Sequence, residues 1–453
     1  MIAPYLAHIL LPLIAALSIL LMLLRPRGIA EVYWIGSGAI LLIALRLIPL
    51  ALAGQAIAEG SDVYLFLIGM MLLSELAREH GVFDWLSSRV VGASHGSPAR
   101  LFTLVYLAGT AVTILMSNDA TAVVLTPAIL HATRKAKVAP LPYLFACALI
   151  ANAASFVLPI SNPANLVVFH DRVPPLGQWL ASYAVPSALS ILATYAVLRW
   201  LFRADLGEIG RMQLPAVTKM CLAGGSRDLQ VPAKTPGIIG ASAPALTLQG
   251  KLVLAGLSLT AAVLLTASSF GKDLGRPTCL AALAVTAIIS IQAKANPWPL
   301  AKEISWSTLA LVAGLFILVD AVESIGALHL TQHWLAQAQP LPPTIGALLT
   351  GFPVAIANNL VNNLPLGLIA GATLHASQTH GLLADAVMIG VDLGPNLSVT
   401  GSLATILWLL ALRKEHQNVT FWSFLRVGII AMPVALLAAL AGAILMHSIF
   451  QSS

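Results

Sequence analysis

The chain has 453 residues, of which 58% are hydrophobic and only 9% charged, with a net charge of +6 and a mean hydropathy of +0.89. Soluble domains carry about 25% charged residues, so the composition excludes a soluble protein and predicts a polytopic membrane protein with almost no soluble mass. The basic residues sit in short loops between apolar runs, which assigns them to membrane orientation rather than to nucleic acid.

About 20 apolar residues cross a bilayer. That rule places ten spans, near 4–24, 28–53, 62–78, 141–170, 178–202, 250–268, 277–293, 305–322, 383–412 and 422–449. The first run lacks a basic start, is long, and is followed by Arg25-Pro26-Arg27 like a stop signal. It reads as a span, not a signal peptide. Two further apolar stretches, 102–133 and 343–375, are each about 32 residues long. A straight helix of that length measures about 48 Å, too long for a core of ~30 Å. Each carries a polar cluster at its middle, which predicts a re-entrant hairpin with its tip at mid-depth. Two short full spans are the alternative, and parity is the same.

With the N-terminus outside, 20 of the 24 basic residues fall on the cytoplasmic side, which favours this orientation. Only Arg46, Arg172, Lys272 and Arg276 fall outside. Both termini are then external. The first hairpin opens to the cytoplasm and the second outward. The segment 203–249, with Pro215, Gly224, Gly225, Pro232, Pro236, Gly237 and Pro244, reads as a flexible cytoplasmic linker. Cys147, Cys221 and Cys279 are scattered, form no metal-ligand set, and read as incidental.

The two halves repeat. Gly69-x5-Glu75-x5-Gly81 in the third span matches Gly314-x5-Asp320-x5-Gly326 in the eighth. Gly69 lies 49 residues before Asn118, and Gly314 lies 49 before Asn363. The third span runs inward and the eighth outward, so the repeats, 1–202 and 250–453, are inverted. The expected fold is therefore all-α, with about ten transmembrane helices, two re-entrant hairpins and broken helices at the midplane. The breaks are marked by Ser117-Asn118-Asp119, Ser161-Asn162-Pro163, Asn358-Asn359-Leu360-Val361-Asn362-Asn363 and Gly394-Pro395-Asn396 through Ser402. Dense polar groups inside a bilayer line a path or a site.

These motifs resemble a known family. Ser117-Asn118-Asp119-Ala120-Thr121 with Leu125-Thr126-Pro127, Pro159 to Asn165, and Asn362-Asn363-Leu364-Pro365 carry part of the likeness. Asp392-Leu393-Gly394-Pro395-Asn396 with Gly401-Ser402-Leu403-Ala404-Thr405 and Trp408 carry the more specific part. The chain resembles the arsenical pump membrane proteins, the bacterial arsenite efflux permeases of the ion transporter superfamily. The resemblance implies export of arsenite and antimonite across the bacterial inner membrane, driven by protons. In some members a soluble arsenite-stimulated ATPase subunit associates with the permease.

Arsenite near neutral pH is a small neutral trihydroxide, and Asn, Ser and Thr side chains can meet its hydroxyls. Broken helices add free backbone groups at the same depth. The expected cargo set is Asn118, Asn162, Asn363, Asn396 and Ser402, supported by Ser117, Ser161 and Thr400; helix capping is the competing role for each. No thiol cluster is present, which suits a carrier that must release arsenic(III). Proton coupling needs a titratable group, and Asp119 at the first tip is the leading candidate. Glu75 and Asp320, at equivalent places in the repeat, are second-tier and expected to pair with each other or with backbone. Asp392, before the Gly-Pro break, is also second-tier. His131, His375 and His380 read as solvated interfacial groups. No Walker-type motif, metal-binding motif or cofactor motif is found.

A sodium/proton antiporter of the same superfamily would use the same hairpins, with Asn and carbonyl oxygens around Na⁺. Carboxylate cargo is disfavoured because no basic residue lies in the polar clusters. A channel or a membrane enzyme is a weaker reading. Two inverted hairpins build a site closed on alternate sides, and no catalytic set is visible.

Overall fold

A bilayer offers backbone N–H and C=O groups no partners except each other, so long apolar runs default to helix. In the computed structural model the described residues are 4–24, 26, 29–169, 173–207, 245–326 and 328–451. They form helices joined by turns, with no strand among them. Among the described residues, seven single helices are long and apolar enough to cross a membrane; two of these are the first arms of the hairpins. Pro4–Leu24 is a further apolar helix of 21 residues, and other crossings are short or broken helices.

The first half runs Pro4–Leu24, Glu31–Ala44, Ser61–Glu79, Val82–Ala93, a hairpin, a broken helix and Leu176–Leu201. The second half runs Leu248–Ser269, Gly275–Ala293, Trp306–Ser324, His329–Ala338, a hairpin, a broken helix and Phe421–Gln451. Contacts follow the same symmetry. Glu31–Ala44 packs on Trp306–Ser324, as Gly275–Ala293 packs on Ser61–Glu79. Leu176–Leu201 and Phe421–Gln451 pack against each other. A hairpin does not change sides, so an odd number of crossings separates equivalent helices and the repeats are inverted.

Each hairpin enters and leaves at one end of the bundle. The first descends as Pro98–Leu115 and returns as Thr126–Ala136. The Tyr143 hydroxyl, just beyond the return arm, donates to the Pro98 carbonyl at 3.1 Å. The second descends as Pro343–Val361 and returns as Asn363–Ala376. Gln339 and Thr379 flank it and are joined at 3.2 Å.

One expected span differs. The run 28–53 is not a single helix. It stops at Ala44, turns with Arg46 at φ 52°, and resumes as Leu50–Glu59, which meets Ser61–Glu79 at a bend of 46°. Pro49 disfavours helical conformation at the residue before it and ends the helix there. The linker 203–249 lies mostly outside the described residues, and with it Arg211, Lys219, Cys221, Arg227 and Lys234. Arg25, Arg27 and Arg172 also lie outside them.

The two ends of the bundle group the loops as the basic residues do. At one end Arg134 donates to the Glu415 carboxylate at 2.9 Å. At the other the Asp62 carboxylate accepts from the Gly275 backbone at 2.7 Å, capping the next helix. Tight backbone crossings hold the middle. A Cβ at Gly428 would collide with the carbonyl oxygens of Leu397 and Asn396, where Phe421–Gln451 passes the second break.

Candidate functional site

The first broken helix comprises Leu141–Ala153, an irregular stretch with a 3-10 turn at Pro159–Ser161, and Pro163–Val168. Asn162 starts the last piece, its side-chain oxygen accepting from the Ala164 backbone at 3.0 Å. Pro163 at the first helical position suits this, because its missing N–H would have no partner there. The second comprises Leu382–Leu393, a 3-10 turn at Gly394–Asn396, and Leu403–Lys414. Ser402 caps that last piece, accepting from the Thr405 backbone at 3.1 Å.

The breaks face each other and are joined by one hydrogen-bonded network. Asp392 accepts from the Asn162 side-chain amide at 2.8 Å and from the Ser155 hydroxyl at 2.6 Å. Asn152 donates to the Asn396 side-chain oxygen at 3.0 Å. Asn396 donates in turn to the Leu149 carbonyl at 3.0 Å. Asn165 donates to the carbonyls of Ser155, at 2.9 Å, and Leu158. All these side chains are buried. The network holds one carboxylate and no cation, and a lone buried charge is costly in a bilayer.

The hairpin tips dock on the breaks with matching struts. Ser161 donates to the Ile114 carbonyl at 3.1 Å. In the other repeat Thr400 donates to the Asn359 carbonyl at 3.0 Å. The second tip is pinned further: the Asn363 backbone donates to Gly401 at 2.9 Å, and Asn359 donates to the Gly394 carbonyl at 3.0 Å. Asn362 turns the chain at φ 76°, and Asn358 donates to the Val391 carbonyl. At the first tip Ser117 accepts from the Ala120 backbone at 3.2 Å, and Asn118 accepts from the Asp119 backbone at 2.9 Å. A π-helical turn, Thr121–Leu125, follows; such turns occur often at functional sites.

Four buried amide oxygens in these elements have no donor among the described residues: those of Asn152, Asn165, Asn358 and Asn363. Buried polar atoms are nearly always paired in folded proteins, so four orphaned acceptors around the breaks need an explanation.

The structure brings Asn162, Asn396 and Asp392 into direct or shared contact, with Ser161 bracing the first tip. The Asn118–Ala120 turn packs against Leu403–Lys414, the half-helix that Ser402 caps. By the same symmetry Asn363–Ala376 packs against Pro163–Val168, the half-helix that Asn162 caps. Thr400 and Asp119 are partly exposed, and no described side chain bonds the Asp119 carboxylate. The expected pairing of Glu75 with Asp320 is not found. Glu75 forms a forked ion pair with Arg78, one turn away. Asp320 is only partly buried. A carboxylate one helical turn from an arginine takes that partner first. Cys147 is buried in Leu141–Ala153 and Cys279 partly buried; neither joins the network.

Asn152, Ser155 and Asn165 are absent from the sequence-based set. A signal existed. Asn152 and Asp392 are 240 residues apart, as are Asn162 and Ser402. Asn152 is thus the repeat partner of Asp392, an amide facing the site where its counterpart carries an acid.

Known proteins agree with this architecture. The chain is 27% identical to the arsenical pump membrane protein of Escherichia coli over 446 residues, covering 94% of this chain and 96% of that one. It is 27% identical to the protein of the same name from Yersinia enterocolitica over 452 residues, covering 94% and 97%. Its fold is similar to the crystal structure of the Alcanivorax borkumensis YdaH transporter, with a TM-score of 0.54 at 14% identity over 88% of this chain and 87% of that one. Residues 5–412 match the CitMHS family, described as citrate transporter, and the chain belongs to that family of membrane transporters.

Proposed function

We propose that the protein exports arsenite and antimonite from a bacterial cell in exchange for protons, by alternating access of a site between its two repeats. The observation that carries this reading is the set of orphaned amide oxygens around a network without cations. A neutral trihydroxide brings the O–H donors that those acceptors lack. The names of the two bacterial relatives point to the same cargo. A tricarboxylate, which the family description suggests, would need cations where Asp392 stands.

Proton coupling falls to Asp392 together with Asp119; Glu75 and Asp320 stay second-tier. Ionised, Asp392 accepts from Ser155 and Asn162 and holds the repeats together. Protonated, it gains a donor and loses acceptor capacity, so the inter-repeat contact weakens and the other closed state becomes accessible. Asp119, at the tip of a hairpin that opens to the cytoplasm in the proposed topology, would exchange its proton there. The protein would sit in the inner membrane with both termini outside. A soluble arsenite-stimulated ATPase subunit is a partner this reading allows.

The second reading is a sodium/proton antiporter, because acceptor oxygens also suit Na⁺. Everted vesicles under an imposed proton gradient separate the two. Gradient-driven uptake of labelled arsenite is expected. Uptake of labelled Na⁺ without arsenite would transfer the assignment to the antiporter, and uptake of labelled citrate would overturn both.

A further inference from the structure

A cavity of about 500 Å³ opens at the end of the bundle where the first broken helix finishes and the second begins. Phe169 and Trp179 give it apolar walls, and Gln178, Ser182, Thr379 and Asp385 give it polar ones. No lysine or arginine is among its described walls. The size and the mixture are those of a small-molecule site. The proposed topology puts this end outside the cell.

Two short helices lead from this cavity to the breaks. Pro163–Val168 reaches it at Val168, and Asn363–Ala376 reaches it at Gly371 and Leu374. The two helices pack against each other. Toward the breaks the first carries Asn165 and the second begins with Asn363, both buried. Each has a side-chain oxygen without a donor among the described residues. Gly371 lies eight residues, or about 12 Å of helix, beyond Asn363. The orphaned acceptors and the cavity are thus about two turns apart, separated by the seam between these helices. Glycines close that seam. Gly367 and Gly371, one turn apart, both face Pro163–Val168. A Cβ at Gly371 would lie 2.6 Å from the Val168 carbonyl oxygen. One at Gly367 would lie 3.4 Å from the Val168 side chain and 3.5 Å from that of Val167. Small residues let helix backbones approach this closely in a membrane. The approach leaves no room for cargo in this state, yet at Gly371 no side chain of the hairpin interlocks the two helices.

We infer that the cavity is the vestibule through which cargo leaves the protein, and that the glycine seam between Pro163–Val168 and Asn363–Ala376 is the gate between it and the breaks. The inference rests on the reading that the breaks hold a small neutral trihydroxide. With the glycines apposed, the breaks are shut off from this end of the bundle. Parting the two helices joins the orphaned oxygens of Asn165 and Asn363 to the cavity. The side chains of Gln178, Ser182 and Thr379 then offer the departing hydroxyls new partners. A lipid-filled crevice is the competing reading of a partly apolar cavity in a bilayer, and the test must separate the two.

Load right-side-out membrane vesicles with labelled arsenite and acidify the outside. Use the full chain with Cys147→Ser, Cys221→Ser and Cys279→Ser, and add one cysteine at a time. Ser182→Cys, on the cavity wall, should react with an impermeant thiol reagent from outside. Efflux should fall to background once a bulky reagent is attached. Gln178→Cys, exposed at the rim, gives the same readout where Ser182→Cys does not fold. Gln55→Cys, exposed on Leu50–Glu59 and outside the cavity walls, should react without loss of efflux. Gly367→Cys and Val167→Cys face each other across the seam, and both positions are buried. They should be protected without arsenite and react from outside while arsenite is exported. Normal efflux after complete modification at the cavity overturns the vestibule. A Ser182→Cys reached only by a membrane-permeant reagent marks a lipid crevice, and one reached only in everted vesicles puts the cavity on the cytoplasmic side; either result overturns the inference. Seam cysteines whose reactivity export does not change overturn the gate. Wild-type vesicles that export no arsenite overturn the cargo reading and the inference with it. Wild-type export with unaffected cavity variants overturns the inference alone.

Discussion

Asn162 of the first repeat donates its side-chain amide to Asp392 of the second at 2.8 Å, both residues buried at the facing breaks of two helices. Any rocking of one repeat against the other must stretch this bond. Hydrogen bonds to a charged group contribute about 2 kcal/mol each. Asp392 has two, so its ionisation state changes the contact by an amount comparable to the gap between closed states.

Asp392→Asn should fold but lose proton-coupled export. The Asn oxygen still accepts from Asn162, and the Ser155 hydroxyl can turn to accept from the new amide. Arsenite resistance of a sensitive host at normal membrane expression checks this. Full resistance would remove Asp392 from the coupling scheme.

Asn363→Ala and Asn118→Ala should each cripple arsenite efflux. They sit at equivalent hairpin tips, and the Asn363 side-chain oxygen has no donor among the described residues. Its loss should therefore leave the melting temperature in detergent almost unchanged. Retained efflux in both variants would place the cargo elsewhere.

Asp119→Asn should uncouple export from protons with arsenite binding less affected. The amide keeps the size and removes the titratable proton. Because the carboxylate has no described hydrogen-bond partner, the variant should be as stable as wild type. Proton flux in proteoliposomes equal to wild type would leave Asp392 as the sole candidate of the pair.

Gly428→Ala should destabilise the protein by about 1–3 kcal/mol through overpacking. The added methyl meets the carbonyls of Leu397 and Asn396 at the second break. A lowered melting temperature is the expected readout. Wild-type stability would mean that the last helix can move away from the break without cost.

A reporter fused after Arg227 should read cytoplasmic and one near Lys272 external. The reversed pattern would exchange the openings of the two hairpins.

The number of spans, the hairpins and the repeat were legible because each rests on local pattern. Length of apolar run, polar residues at its middle and the shared spacing from Gly69 to Asn118 and from Gly314 to Asn363 need no partner to be read. The break at Arg46–Pro49 was missed because an apolar run hides a single proline. Among the site residues, Asn118, Asn162, Asn363 and Asn396 stood out as polar groups in apolar surroundings. Asn152 and Ser155 did not, since one Asn and one Ser separated by two alanines look ordinary in any helix.

The sequence by itself determined that this chain spans a membrane as two related halves with polar interruptions at matching places. Hydrophobicity and helix breaking act over a few neighbouring residues, so they are written in the order of those residues. Only the tertiary structure decided which interruptions meet. It joined Asp392 to Ser155 and Asn162 across more than 200 residues of chain and gave Glu75 to Arg78. A carboxylate's role depends on what donates to it and what water reaches it, and both are supplied by segments distant in sequence.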